Sequence, residues 1–513
     1  MFPSQRSTDP APTNLPSEPG RPGRQGLTAP LLVLGGALFV VLATANGAGY
    51  RYGTSDQAFY IPVITRAIDA SLFPRDGAVI DAEGRLMLMD EVMATVVGGT
   101  GITLDTAFLV GYVISMLLLW AAVTLIGARL YRHPWAVVAL GAALTLRHRI
   151  PRTSANSLEP YFHPRMLAFS LGALAVAAVC HRRDRTAIAL VACCAVVHVT
   201  TALWFSVLIG VALALLDPLW RRLGWLALRM AVVVLAGWVL VGPLRGTLTA
   251  MDDVWLQAVA SKDSLFATQW PLWAWAANAA SLGLLWWTYR VRTTRGDATA
   301  IDRALVWGAT ALVGVFVATL PFVAAGIALP VQFQISRVFW LVEFVAVIYV
   351  IGVLADGPQR SLRVAAVVAL LAVSAGRGLY IMLVERPERP LFEIGRSQTP
   401  WEHAMQWFAA QPPDIHVLAD PGHAWKYGTS VRVSAERDVL IEEVKDSALA
   451  IYSREVAGRV VERTAAIGNF GELTAGRAQE LAQLYDLDYL VTENDLPLTE
   501  VFRNAQFRIY ELR

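Results

Sequence analysis

A chain of 513 residues that is 55% hydrophobic and only 16% charged, with a mean hydropathy of +0.47, lies outside the usual range of soluble domains. Its 43 basic side chains are nearly balanced by 41 acidic ones, which argues against a nucleic-acid binder because no basic surface is in prospect. The three cysteines, Cys180, Cys193 and Cys194, all sit in apolar runs, so neither a disulfide framework nor a zinc site is suggested.

Residues 1–29, rich in Pro, Ser, Gly and Arg, read as a disordered cytoplasmic tail. The apolar run 30–48 is about a membrane thickness long and lacks a small-residue cleavage site, so it reads as a retained span and not a signal peptide. Ten more apolar segments follow, at about 104–127, 134–147, 166–180, 186–200, 202–217, 224–243, 271–289, 304–324, 338–355 and 362–383. The expectation is an α-helical polytopic membrane protein of about 11 transmembrane helices over 30–384. The segments 134–147 and 186–200 are short for a span, and 186–217 reads equally as one broken or re-entrant unit.

Charge orients the chain. Arg21 and Arg24 precede the first segment, and Arg129 with Arg132, the run His181–Arg185, Arg221 with Arg222, Arg290 to Arg295, and Arg360 with Arg363 fall in alternate loops. The positive-inside rule puts these in the cytoplasm and leaves 49–103, 148–165, about 244–270, 325–337 and everything after 384 on the other side.

The first outer loop, 49–103, is long. It opens with Tyr50 to Tyr60, where Asp56 and Gln57 stand among aromatics, and continues through Asp69, Asp76, Asp81 and Asp90-Glu91. Apolar residues recur at helical spacing from Gln57 to Ala70, which predicts an amphipathic helix along the interface. Asp56 then has two readings, a cap for that helix or a functional carboxylate at the membrane surface. Asp252 to Trp270 offers a second interfacial helix. Asp252-Asp253 is a weak cation signal, and Trp255, Trp270, Trp273 and Trp275 read as an aromatic belt.

A basic constellation occupies the second outer loop: Arg147, His148, Arg149 and Arg152, then Glu159, His163 and Arg165. Four arginines on the outer side run against the positive-inside tendency and suit phosphate or carboxylate recognition, with Pro151, Pro160 and Pro164 stiffening the loop. If segment 134–147 does not cross, the cluster has a purely topological origin. Gln332-Phe-Gln-Ile-Ser-Arg337 places Arg337 at a span boundary, where it is an interfacial anchor, a functional cation or the partner of Glu343. His198 with Thr200 and Thr201 reads as a packed, hydrogen-bonded histidine.

From Thr399 the pattern changes. Thr399-Pro-Trp-Glu402 fits a capping box opening a helix through Ala410. Strand-like runs follow at Ile415–Ala419, Val431–Ser434 and Val439–Ile441, then a helix around Ala475–Tyr485 and strands at Tyr489–Thr492 and Phe507–Glu511. Residues 385–513 are therefore expected to form a small extracytoplasmic α/β domain without a phosphate-binding glycine loop. Trp425 to Ser430 with Arg432 reads as a carbohydrate surface or an ordinary turn.

The whole pattern resembles the GT-C superfamily of membrane glycosyltransferases. The stretches Ser55-Asp-Gln-Ala-Phe-Tyr-Ile-Pro62 and Ser71-Leu-Phe-Pro-Arg-Asp76 look like the first-loop signature of bacterial members. The resemblance implies a polyprenyl-phosphate-linked sugar as donor and a glycan, lipid or protein as acceptor, in a bacterial cytoplasmic membrane. It implies Asp56 as general base, with inversion at the anomeric carbon. Gln57, Asp76, Arg147, Arg149, Arg152, Glu159, His163, Arg165 and Arg337 are the candidate substrate-binding residues. No metal ligand set is assigned; many members carry two adjacent acids where this chain has Asp56-Gln57, and a divalent cation stays open as a cofactor. The competing readings are a transporter or flippase of lipid-linked saccharide, a non-catalytic membrane scaffold, and an O-antigen ligase or polymerase, whose largest loop would come late.

Overall fold

The computed structural model describes residues 28–84, 88–242 and 244–513; nearly all of the expected tail, with Arg21 and Arg24, lies outside the described residues. Each apolar segment is helical: Ala29–Asn46, Leu104–Leu130, Pro134–Thr145, Pro164–Cys180, Asp184–Val197, Val199–Leu216, Pro218–Leu240, Leu272–Thr294, Ala300–Ala324, Val338–Ala355 and Arg360–Tyr380. Among the described residues, 7 helices are long and apolar enough to cross a membrane, so the chain is a polytopic membrane protein. Pro134, Pro164 and Pro218 each open a helix, where a missing N–H costs nothing.

The ambiguous stretch 186–217 is two helices broken at His198. That residue is extended, and its Nδ1 accepts the backbone N–H of Thr201, 3.3 Å away. The polar patch is thus a helix cap. At the centre, Val338–Ala355 is buried on nearly every side and packs against Pro134–Thr145, Leu272–Thr294 and Ala300–Ala324. Val199–Leu216 and Ala300–Ala324 touch backbone to backbone: a Cβ on Gly308 would stand 2.5 Å from the Leu208 carbonyl oxygen, so only glycine permits the contact. Pro218–Leu240 buries no residue; Arg221 and Arg222 lie in its first turns, and the stretch from Met230 to Leu240 is uncharged, as suits a helix facing lipid.

The basic loops meet at one end of the bundle. Asp356 accepts the backbone N–H groups of Arg132 and His133, Arg132 pairs with Asp297, and Arg129 Nε donates to the Cys180 carbonyl. The longer loops gather at the other end, under the C-terminal residues. There a five-stranded sheet runs in the order Asp438–Val439, His416–Leu418, Tyr489–Thr492, Arg508–Glu511, Thr499–Arg503; the first three strands are parallel, and the last two join antiparallel.

Three local expectations change. Val431–Ser434 is a helical turn, not a strand; alternation over four residues cannot separate the two periods, and packing on Gln57–Ile68 decides it. Only half of the capping box forms: Thr399 Oγ1 accepts from Glu402 N, while the Glu402 carboxylate turns inward to Thr429 and Ser434. The helices Gln57–Ile68 and Asp253–Val259 bury their apolar faces in protein. Two of the four belt tryptophans turn inward, Trp255 Nε1 donating to Ala450 O and Trp270 Nε1 to Asp263 O; Trp275 is half-buried against Trp270 and Phe316, and Trp273 is exposed. Asp252 caps its helix and pairs with Arg454, which accounts for its charge without a cation.

The first long loop is tied to the sheet. Tyr50–Arg51 pairs in parallel with Phe392–Glu393, and Arg51 Nε reaches Glu393 at 2.9 Å. Asp76, fully buried, accepts from Arg432 Nε at 2.8 Å, from Val439 N at 3.1 Å and from Arg459. In return Asp438 accepts the backbone N–H groups of Arg75 and Asp76, each at 2.9 Å. Burial alone would raise the Asp76 carboxyl, but the two guanidinium groups hold it below the ordinary carboxylate range. Its contribution to stability is therefore complete at neutral pH and is lost only as pH falls through that depressed value. Arg432→Met should take one of the two guanidinium groups from Asp76 and the ion partner from buried Asp446, and cost about 3–5 kcal/mol, read as a lower Tm of the detergent-solubilised protein. A Tm equal to wild type would show that the latch carries no stability.

Candidate active site

Asp56 opens the helix Gln57–Ile68 but does not cap it; its side chain makes no cap hydrogen bond. Ser55 before it has a left-handed backbone, φ 55°, an uncommon geometry for serine that a site has to hold in place. Tyr161 OH bonds Ser55 Oγ at 3.1 Å. Gln57 clamps the turn from behind: its Oε1 accepts Gly53 N–H at 2.6 Å and its Nε2 donates to Phe162 O at 3.0 Å. Gln57 is thus a fully buried brace pointing away from the space that Asp56 faces.

That space is a cavity of about 790 Å³ between the end of the bundle and the C-terminal residues. Asp56 Oδ2 lies 3.4 Å from His163 Nε2 and 3.9 Å from Arg165 Nη2, and Oδ1 lies 3.3 Å from Lys445 Nζ. The His163 tautomer follows from its other nitrogen: Nδ1 accepts Arg165 N–H at 3.0 Å, so the ring proton sits on Nε2, toward Asp56. Burial, then the Arg165 charge, keep this imidazole neutral by lowering its pKa. For Asp56, burial pushes the carboxyl up, but Lys445, the His163 hydrogen bond and Arg165 together hold it well below the usual range.

Glu159 positions Arg165 at 2.8 Å and takes Asn156 Nδ2 at 3.0 Å with its other oxygen. Arg337 stands opposite. Its Nε is shut off from solvent and lacks a hydrogen-bond partner, while Glu343 pairs with His148 instead. The Arg337–Glu343 pair is therefore not formed; one and a half helical turns carry the carboxylate past the guanidinium's reach.

The cavity wall holds Arg147, Arg149, Arg165, Arg337, Arg377, Lys262 and Lys445, seven cations, against the carboxylates of Asp56, Glu159 and Asp263. Such a wall suits an anionic ligand and not a divalent cation, since the oxygens of Asp56 already face positive groups. Among the described residues no group of three His, Cys, Asp or Glu could hold a metal ion.

Six of the basic and acidic candidates, Arg147, Arg149, Glu159, His163, Arg165 and Arg337, thus share a cavity with Asp56. Three candidates stand apart. Asp76 is spent on the latch to the sheet, Gln57 on the turn, and Arg152 pairs with Asp263 and covers the Trp273 ring. Lys445, Lys262, Arg377 and Tyr452 were not singled out by sequence; only the docking of distant segments brings them to one wall. Trp425, 68% exposed, also faces the cavity, whereas Arg432 is buried in the latch and offers no carbohydrate surface.

No family model and no curated protein matches the chain. Among solved structures, the chain is similar to the arabinofuranosyltransferase AftD from Mycobacteria, with TM-score 0.47 and 12% identity. The match covers 96% of this chain and 40% of that one, so this chain spans well under half of that enzyme's length. At that TM-score the likeness says nothing about chemistry, which rests on the cavity.

Among the described residues the Arg337 Nε has no hydrogen-bond partner to lose. Arg337→Gln should leave Tm unchanged or raise it, yet weaken binding of inorganic pyrophosphate about tenfold, as expected for one hydrogen bond to a charged group. Calorimetric titration of wild type and variant checks this. Equal affinities would remove Arg337 from the anion site.

Proposed function

We propose that this chain transfers a sugar from a polyprenyl-phosphate-linked donor to an acceptor hydroxyl, with Asp56 as general base. The observation that carries the reading is the placement of Asp56: a carboxylate turned off its own helix into a cavity whose cations outnumber its carboxylates seven to three. The acceptor oxygen attacks the anomeric carbon, and its proton passes to Asp56. The bond from that carbon to the phosphate oxygen breaks, and its electron pair leaves on the phosphate. The anomeric configuration inverts. Phosphate is a good leaving group and calls for cations and not for a general acid; Arg337 and Arg165 face Asp56 and can supply them. The cation wall takes the charge role that a metal would otherwise fill, so the reading is metal-independent.

A lipid-borne donor also needs an apolar exit. A narrow cleft between helices, lined by Leu119, Leu144, Phe169, Trp340 and Phe344, adjoins the cavity at His148, which borders both. The exposed indole of Trp425 suits a sugar ring and favours a glycan among the acceptors. By the positive-inside rule, the basic loops at the far end of the bundle support a cavity that opens on the outer face of the cytoplasmic membrane, with the C-terminal residues outside. A transporter would instead hold its site near mid-membrane between repeats.

Asp56→Asn should lower sugar transfer about 10²–10⁴-fold, the usual worth of a general base, in membranes containing the folded variant. Mass spectrometry of released polyprenyl phosphate and glycosylated product reads the outcome. Unchanged transfer removes Asp56 as the base.

A further inference from the structure

Lys445 is a costly residue to keep where it is. It is 4% exposed, it comes from the helix Glu443–Leu449 of the C-terminal part, and its ammonium lies 4.9 Å from the Phe59 ring centroid. Among the described residues its ion partner is Asp56, the group that the transferase reading needs as a free base.

The pair is not required to hold the two parts together. The latch of Asp76 with Arg432 and Arg459 does that, aided by Trp255 Nε1 to Ala450 O at 2.6 Å and Gln334 Nε2 to Tyr452 OH at 2.7 Å. The contacts also differ in kind. Charge-assisted hydrogen bonds close to about 2.7–2.9 Å. Arg432 reaches Asp76 at 2.8 Å, whereas the three groups around Asp56 stand at 3.3, 3.4 and 3.9 Å. Asp56 is surrounded and loosely held, a geometry that can exchange partners.

A second cation crowds the first. Lys262 Nζ donates to Val444 O at 2.7 Å, next to Lys445, and its pKa is lowered to about 8 by burial and then by the Lys445 charge. An anion entering here would relieve both ammonium groups.

We infer that Lys445 restrains Asp56 while the cavity is empty and is drawn onto the donor's phosphate when the donor binds, so that the base is released only in the loaded site. This rests on the transferase reading above. Lys445 then acts on catalysis through Asp56, as a positioning residue. The other charged or titratable groups facing Asp56 are His163, Arg165 and Tyr161 from the second long loop, Arg337 before its helix, and Lys262. None of them has to move for the exchange.

Losing Lys445 from its side raises the affinity of Asp56 for a proton, so donor binding should take up protons, and affinity should rise as pH falls through the raised value. The probe is farnesyl methyl phosphate, a phosphodiester with one fixed negative charge, titrated calorimetrically into the full chain in detergent. Two buffers of different ionisation enthalpy, at about pH 5, give the protons taken up on binding. Wild type should bind with proton uptake, and Asp56→Asn should bind without it. Lys445→Gln should weaken binding about tenfold and diminish the uptake, while Lys445→Arg restores the binding. Wild-type binding without uptake, an affinity of Lys445→Gln equal to wild type, or no binding of the probe by wild type each overturns the inference. Failure of the transferase reading shows elsewhere, as sugar transfer retained by Asp56→Asn, and leaves the uptake intact.

Discussion

The buried carboxylate of Asp76 is the constraint on which the cavity depends. It lies in the first long loop, yet every strong partner it has belongs to residues more than 350 positions later. A carboxylate taken out of water at this cost has to be paired, and Arg432 and Arg459 do so from two separate elements. The consequence is that the sheet of the C-terminal part is fixed over the end of the helical bundle. The helix Glu443–Leu449 is then held against Asp56, since Arg432 also grips Asp446 on that helix.

From that docking the electrostatics follow. Neither part alone makes the site: the bundle end brings Asp56, His163, Arg165 and Arg337, and the C-terminal part brings Lys445, Trp425 and Tyr452. Two classes of carboxylate result within one interface. Asp76 is dry, tightly paired and structural; Asp56 is 31% exposed, loosely paired and faces open volume. The difference is what separates a latch from a candidate base, since a group that must accept a proton cannot have all its lone pairs committed.

Much of the fold was legible because membrane helices are written in composition. The apolar runs map one to one onto helices, including the two short ones, since no other regular structure lets lone segments of that polarity keep their backbone groups bonded. In the C-terminal part the long periodic helix Ala475–Tyr485 and the strand Tyr489–Thr492 fall on their expected bounds, whereas the four-residue run Val431–Ser434 keeps its bounds but is helical and not a strand. Short runs carry too few residues to reveal a period, and packing settles them.

The site divides the same way. By itself the sequence determined that an acidic loop and an arginine-rich loop sit on one side of the helices, because charge asymmetry and apolar alternation are local properties. It could not show that Asp76 and Gln57 are structural, that Glu343 goes to His148, or that Lys445 reaches Asp56. Those are decided only in the tertiary structure, because Asp56 and Lys445 are 389 residues apart and nothing in either neighbourhood carries the other's position. A carboxylate's role depends on which charges surround it, and those surroundings exist only after the sheet has docked.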